Sequence, residues 1–407
     1  MPVGPNAATG LPHLPGVQLS HHKNALVVVM SNVRSDPRVR RQIDWLSEAN
    51  WVVDTLGLGE RPADAVRSHF GLGEQARWVR SRVGAALIYL ALPRQWRFRF
   101  LTENRIPREA LRRISAGEYS LLVFNDMDFL PLVRDPTIFT PAARTAHLQL
   151  DLHEYRDARL KLDSLWRVVT SDYYRWIRRL IGDPAFTARS TVASGIATLY
   201  ATDFGFEKPT VVRSGPPYID QRPGPVDPDR IKLIYHGMAS WSRGLKEIVD
   251  AMRLVDSRFD MTFMLTGSGS VIAELEAYAS DLVGTVRFVP PVPMTELSRV
   301  VNQYDLEIML FRPTSQNLKL ALPNKLFEAV QGRLGLVIGE SPMMEEVVEQ
   351  YSNGVIVKGW TGTDLAASLN SLTGDDVKRF KNASHRAAAE LNADVERAAF
   401  LGAIRTA

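Results

Sequence analysis

From Ala25 onward, short and wholly apolar runs alternate with longer stretches in which apolar residues recur at helical spacing. Strands buried on both faces of a parallel sheet read as such runs, with crossover helices between them. In the first half the runs Ala25–Met30, Trp51–Leu56, Tyr119–Phe124, His147–Asp151, Arg167–Thr170 and Thr210–Arg213 are predicted strands. After the first of them comes the loop Ser31–Asp36. Pro37 then opens a helix that carries Val39, Ile43 and Leu46 on one face. Segment 214–229 holds five prolines and two glycines, which break strand and helix alike, and reads as a stiff linker. Beyond it the pattern restarts with Ile231–His236, Met261–Thr266, Val286–Val289, Leu306–Phe311, Leu336–Ile338 and Val355–Val357. The predicted fold class is α/β, with two doubly wound Rossmann-like domains, 23–215 and 216–389, facing a cleft between the carboxyl ends of their sheets. Ligands of open α/β sheets bind at such ends. Residues 390–407 are predicted to be a helix packing back on the first domain, and 1–22 a disordered tail.

Composition narrows the function classes. Of 407 residues, 45% are hydrophobic and 23% charged, enough apolar material for two full cores. The absence of cysteine excludes disulfides, thiolate metal sites and a cysteine nucleophile. The first 22 residues, rich in Pro, Gly and His, lack the apolar core of a signal peptide. The longest apolar run, Val83–Leu92, is about half of the roughly 20 residues that span a bilayer, so a soluble or peripheral protein is expected.

The net charge of +4 says little until it is divided. Residues 1–215 carry 29 basic and 21 acidic side chains (+8), and the rest carry 20 and 24 (−4). An anionic partner is therefore expected at the first half. Much of the imbalance lies in Arg77–Arg113, where ten arginines are mixed with Trp78, Tyr89, Trp96, Phe98 and Phe100. Basic and aromatic residues around a short apolar stretch suit an anionic membrane surface. A groove for single-stranded nucleic acid and a plain surface hairpin share the pattern, but no nucleic-acid partner is expected.

Candidate chemistry lies at strand ends. His236-Gly237 and Ser242-Arg243-Gly244 surround a strand-to-helix turn where backbone amides and Arg243 or Lys246 suit a diphosphate. Thr266-Gly267-Ser268-Gly269 is a second such turn, without the spacing of a dinucleotide fingerprint or the lysine of a P-loop. In Pro323-Asn324-Lys325-Leu326-Phe327-Glu328 the proline starts a helix, and Lys325 and Glu328 share a face. A cation and a carboxylate placed so can divide one ligand, phosphate to Lys325 and ribose diol to Glu328; a surface ion pair has the same spacing. Asn125-Asp126-Met127-Asp128 is a poor metal cage, with two hard ligands and no acidic neighbours. Asp151-Leu152-His153-Glu154 ends another strand, where His153 can act as acid, base or hydrogen-bond anchor.

Together these segments resemble GT-B glycosyltransferases, in particular the family 4-like group of bacterial surface-polysaccharide enzymes. The resemblance covers about residues 24–390. It is carried by Leu322-Pro-Asn-Lys-Leu-Phe-Glu328, Tyr235-His-Gly, Arg243-Gly244, the Thr266 turn, Asp36-Pro-Arg-Val-Arg-Arg41 and Asp151-Leu-His-Glu154. It implies a metal-independent enzyme that moves a sugar from a UDP- or GDP-linked donor to a glycan or lipid-linked acceptor at the cytoplasmic face of the membrane. Glu328 would hold the ribose and Lys325 and Arg243 the diphosphate, with Gly237 allowing close approach of the chain, and Gly267 and Asn324 are further donor-binding candidates. Asp126, His153 and Glu154 become the catalytic candidates, and Arg94, Trp96, Arg97 and Arg99 the membrane or acceptor residues. Two departures stand out. Leu320 lies eight residues before Glu328, where many relatives carry a second glutamate, and Asn125 falls near the usual strand-end histidine. They leave retention or inversion open, and with it a non-catalytic nucleotide-sugar-binding subunit or a sugar-nucleotide epimerase.

Overall fold

A computed structural model describes residues 23–62, 65–156 and 165–405; the expected tail 1–22 lies outside the described residues. Among these residues the first sheet has seven parallel strands, β1 (Asn24–Asn32), β2 (Val52–Leu58), β3 (Val66–Gly71), β4 (Leu121–Phe124), β5 (His147–Leu152), β6 (Ala188–Thr191) and β7 (Thr210–Val211). Their order is β3-β2-β1-β4-β5-β6-β7. The second sheet has six, β8 (Ile231–Ala239), β9 (Phe259–Gly267), β10 (Val286–Val289), β11 (Leu306–Met309), β12 (Gly335–Gly339) and β13 (Gly354–Val357), ordered β10-β9-β8-β11-β12-β13. Chain order reverses between β1 and β4 and again between β8 and β11. The crevices outside those strand ends are the switch points of doubly wound sheets.

Local sequence explains the elements nearest the crevices. Asp36 caps the Pro37–Glu48 helix by accepting from the amides of Arg38 and Val39 at 3.0 and 3.2 Å, and Pro37 fits the first turn. The strands of the second sheet are so apolar that one contiguous core, from Ile231 to Leu391, encloses them. In the first domain separate clusters cover the two sheet faces.

Sequence and structure part at three elements. Arg167–Thr170, predicted as a strand, lies inside a helix, Leu165–Arg179. Its three β-branched residues favour a strand only weakly, while Thr170, Tyr173 and Ile177 at spacings of three and four bury one helical face. Strands β3 and β6 were not foreseen, because Arg67, Ser68, His69, Arg189 and Ser190 interrupt their apolar character.

The chain joins its domains at more than one place. Helix Ala393–Arg405 returns to the first domain, where Phe400 is fully buried with its ring 5.6 Å from that of Trp45. Glu396 there accepts from Arg213 Nε at 2.7 Å, and the Ala393 amide donates to the Pro216 carbonyl at 2.8 Å, clipping the two crossings together. On the cleft side Leu320 and Met343 of the second domain are buried in a core cluster of the first, beside Gly195. Ser194 Oγ also donates to Glu346 Oε2 at 2.8 Å.

Candidate functional site

The facing sheet ends enclose a cleft of about 350 Å³ lined by Asp36, Arg38, His153 and Glu154 from the first domain and Arg243, Asn317, Pro323 and Asn324 from the second. A smaller hollow of about 200 Å³ opens beside it, lined by Asn125, Asp126, His153, Glu154, Arg156 and Tyr200. His153 and Glu154 line both, so they stand where the two spaces meet.

On the first-domain side the controlling group is Asp151, 1% exposed at the end of β5. Arg38 grips its two oxygens from Nε and Nη2, each at 2.7 Å, while Gln42 and Ser190 donate to it at 2.6 and 2.7 Å. Burial opposes the charge on Asp151, but Arg38 and His153 overcome that and hold the carboxyl far below the usual carboxylate range. His153 Nε2 lies 2.9 Å from Asp151 Oδ2 and 3.1 Å from Asn125 Oδ1. Two acceptors at one nitrogen require Nε2 to carry a proton, which turns Nδ1 away from Asp151. Asp126 Oδ2 accepts from the Met30 amide at 2.6 Å, binding the end of β4 to β1, and its side chain does not cap the 3₁₀ helix Met127–Arg134 that follows. Glu154 reaches across the cleft and accepts from Asn317 Nδ2 at 3.3 Å.

The second-domain side is built around buried charge. Pro323 precedes the helix Asn324–Gln331, which places Lys325 and Glu328 against the end of β8, and both are at least nine-tenths buried. They are not a surface ion pair. Glu328 Oε2 accepts from His236 Nε2 at 3.0 Å, and the other ring nitrogen, Nδ1, donates to Glu307 Oε2 at 2.8 Å. Lys325 Nζ rests 3.2 Å from the centroid of the Tyr235 ring, with no hydrogen-bond acceptor among the described residues and with Glu307 Oε1 at 3.7 Å. Burial drives Lys325 down to about 7, against Glu307 and with the help of Arg243. The Arg243 guanidinium stacks on Phe311 at 4.6 Å, and among the described residues it has no carboxylate partner. Gly237 adopts φ 119°, and a Cβ there would stand 3.4 Å from Lys325 Cε, so the glycine makes room for the lysine chain. Gly267, at φ 101°, turns the end of β9 beside Met238.

The remaining four candidates lie elsewhere. Arg94 and Arg97 pair with Asp172 at 2.6 and 3.3 Å, and Arg99 is shared between Glu103 and Asp135 and lies over the Trp96 ring. These arginines are neutralised locally, and neither they nor Trp96 line the cleft spaces. The exposed apolar side chains of this region are Val83, Leu87 and Leu90 of helix Arg82–Ala91, at 72%, 59% and 68% exposure, together with the half-exposed Trp78 and Trp96.

Sequence reasoning missed Glu307, Asp151 and Arg38 as site-builders and left His236 as part of a turn. A readable signal existed: an acid inside an otherwise apolar parallel strand, as in Leu306-Glu-Ile-Met and Leu148-Gln-Leu-Asp151, needs a buried partner. Leu320, in place of a glutamate, is buried between the domains.

Residues 230–375 match the family model Glycosyl transferases group 1. No curated protein matches the sequence. Among solved structures, sucrose-phosphate synthase from Thermosynechococcus elongatus aligns at TM-score 0.69 and 13% identity over 94% of this chain and 98% of that one. Anabaena HepE in complex with UDP and glucose aligns at 0.66 and 13% over 95% and 100%. A glycosyltransferase from Rickettsia africae aligns at 0.64 and 11% over 95% and 98%. At these identities the likeness shows the fold, two Rossmann-like domains of the GT-B type.

Proposed function

We propose that this GT-B chain, whose second domain is of the glycosyl transferases group 1 type, transfers a sugar from a nucleoside diphosphate sugar to a glycan or lipid-linked acceptor. The observation that carries the reading is the pair of basic side chains at the β8 end, Arg243 with no carboxylate and Lys325 with no hydrogen-bond acceptor among the described residues, next to the carboxylate of Glu328. Breaking a sugar–phosphate bond places negative charge on the leaving diphosphate, and fixed cations stabilise that charge in a site from which water is excluded. Glu328 is suited to a ribose diol, and no metal is required. The acceptor enters from the first-domain side, where His153 Nδ1 and the carboxylates of Asp126 and Glu154 are available to a hydroxyl. UDP fits as donor carrier because Anabaena HepE, similar in fold, was solved with UDP and glucose. No helix among the described residues is long and apolar enough to cross a membrane. The ridge Val83, Leu87 and Leu90, flanked by Arg77, Arg80 and Arg82, suits contact with the anionic cytoplasmic face of a bilayer.

The test is release of nucleoside diphosphate from a panel of UDP- and GDP-sugars with lipid-linked acceptors. Turnover should be crippled by Lys325→Ala and by Glu328→Ala; normal rates in both would sink the site. Co-sedimentation with anionic vesicles should fall in Leu87→Glu, and binding indifferent to anionic lipid content would remove the membrane from the proposal.

A further inference from the structure

Beneath the two groups assigned to the donor lies a pair that the reaction itself does not use. Glu307, fully buried in β11, and His236, 2% exposed in β8, form the floor of the site. Besides its Nδ1 bond, His236 offers its backbone amide to Glu307 Oε1 at 3.3 Å, so the carboxylate is held from two directions. The same Oε1 is the nearest carboxylate oxygen to Lys325 Nζ, 3.7 Å away. Through Nε2 the ring also fixes one oxygen of Glu328. One buried acid is thus connected to both donor-binding side chains, directly to the lysine and through an imidazole to the glutamate.

We propose that Glu307 and His236 are positioning residues for a nucleoside diphosphate, Glu307 governing the proton on Lys325 and His236 fixing the oxygens of Glu328, so that the ligand's arrival draws one proton from solvent onto Lys325. This rests on the donor reading given above.

The charges around Lys325 explain why a proton should move. It is faced by Glu307 from β11, by His236 and the Tyr235 ring from β8, by Arg243 from the turn before helix Leu245–Met252, and by Glu328 from its own helix. Burial opposes a charged His236, but carboxylates on both ring nitrogens outweigh it and push it up to about 9. A charged His236 and Arg243 already balance Glu307 and Glu328, which leaves a charged Lys325 without a counterion of its own. A diphosphate supplies one. Its ammonium then becomes favourable and the proton is bound from solvent, with no other group losing one. Affinity should therefore fall as pH rises above about 7, by up to about tenfold per pH unit. An arginine at position 325 keeps its charge throughout, and its variant should show no such slope.

The experiment is isothermal titration of the full chain with UDP, GDP and ADP in buffers of different ionisation enthalpy, between about pH 7.5 and about pH 8, where the diphosphate's own ionisation is nearly complete and His236 keeps its proton. The wild type should take up close to one proton, Lys325→Arg none, and Glu307→Gln, which loses stability with its buried His236 pair, should while still folded bind about tenfold more weakly at the lower pH. Glu307→Asp should recover part of that loss. Zero proton uptake by the wild type overturns the proposal, as does a folded Glu307→Gln variant with wild-type affinity and proton count. If Glu307→Gln does not fold, the wild-type count against Lys325→Arg decides alone. Binding that is lost in Lys325→Met but indifferent to Glu307 and to pH leaves the donor reading standing and removes the relay. Failure of all three nucleotides to bind the wild type removes both.

Discussion

Replacing Arg38 by methionine should strand the carboxylate of Asp151 in the interior of the first domain. In the native arrangement that carboxylate receives two hydrogen bonds from Arg38 and one each from Gln42, Ser190 and His153, all at 2.6–2.9 Å. Breaking a buried pair by removing one partner costs about 3–5 kcal/mol, because the remaining charge stays desolvated. For a domain of this size that corresponds to a melting shift on the order of 10 °C. The pH dependence has a definite sign. With Arg38 present the folded carboxyl titrates far below its unfolded value of about 3.9, so its stabilisation is complete above that value and is lost only as the solution becomes strongly acidic. Without Arg38 the burial effect dominates and the folded value rises, so the deficit of Arg38→Met should be largest near neutrality and shrink on acidification. Thermal melts of wild type, Arg38→Met, Asp151→Asn and the double variant, at about pH 7.5 and about pH 5, give both the cycle and its pH trend. The double variant should be more stable than Arg38→Met. A shift below about 2 °C in Arg38→Met, or a deficit that grows on acidification, would refute the electrostatic account.

Three further outcomes follow from particular contacts. Phe400→Ala, which empties a fully buried site against Trp45, should cost about 3–5 kcal/mol and open helix Ala393–Arg405 to limited proteolysis; an unchanged digestion pattern would show the helix is not held there. In Gly195→Val even the Cβ would lie 2.8 Å from Leu320 Cδ2 and 2.9 Å from Met343 Sδ, an overpacking worth about 1–3 kcal/mol that should wedge the domains apart and enlarge the radius of gyration in solution scattering. An unaltered scattering curve would mean the contact yields without moving the domains. Gly237→Ala imposes strain of about 1–3 kcal/mol at φ 119° and crowds Lys325, so nucleoside diphosphate affinity should drop at least severalfold in a titration; equal affinity would separate that glycine from the site.

The architecture was legible because parallel strands announce themselves. Every strand foreseen in the second half overlaps one in the structure, since the inner four are buried on both faces and the edge strands β10 and β13 are still mostly apolar. Strand β3 escaped notice because it lies at a sheet edge and can carry Arg67 and His69. At the site the legible part was what a ligand would touch: Arg243, Asn324, Lys325 and Glu328 stand in turns and at helix starts. The hidden part was the support. Asp151 and Glu307 are single acids inside apolar strands, and their partners Arg38 and His236 are 113 and 71 residues away in sequence. Spacing rules speak of neighbours on one element and are silent on pairs that only a sheet brings together. Asp54 repeats the lesson, buried in β2 and held by Arg67, Arg113 and Tyr119.

The helix Ala393–Arg405 also imposes an order on synthesis. Its Phe400 and Ile404 belong to the core that covers one face of the first sheet. While the chain emerges from the ribosome, that face stays partly uncovered until the entire second domain has been made, although domains ordinarily fold as units in the order they appear. A fragment ending in the linker would present the same bare face permanently. The two domains are therefore separate in architecture but not in biogenesis: the first is finished by a segment translated after the second.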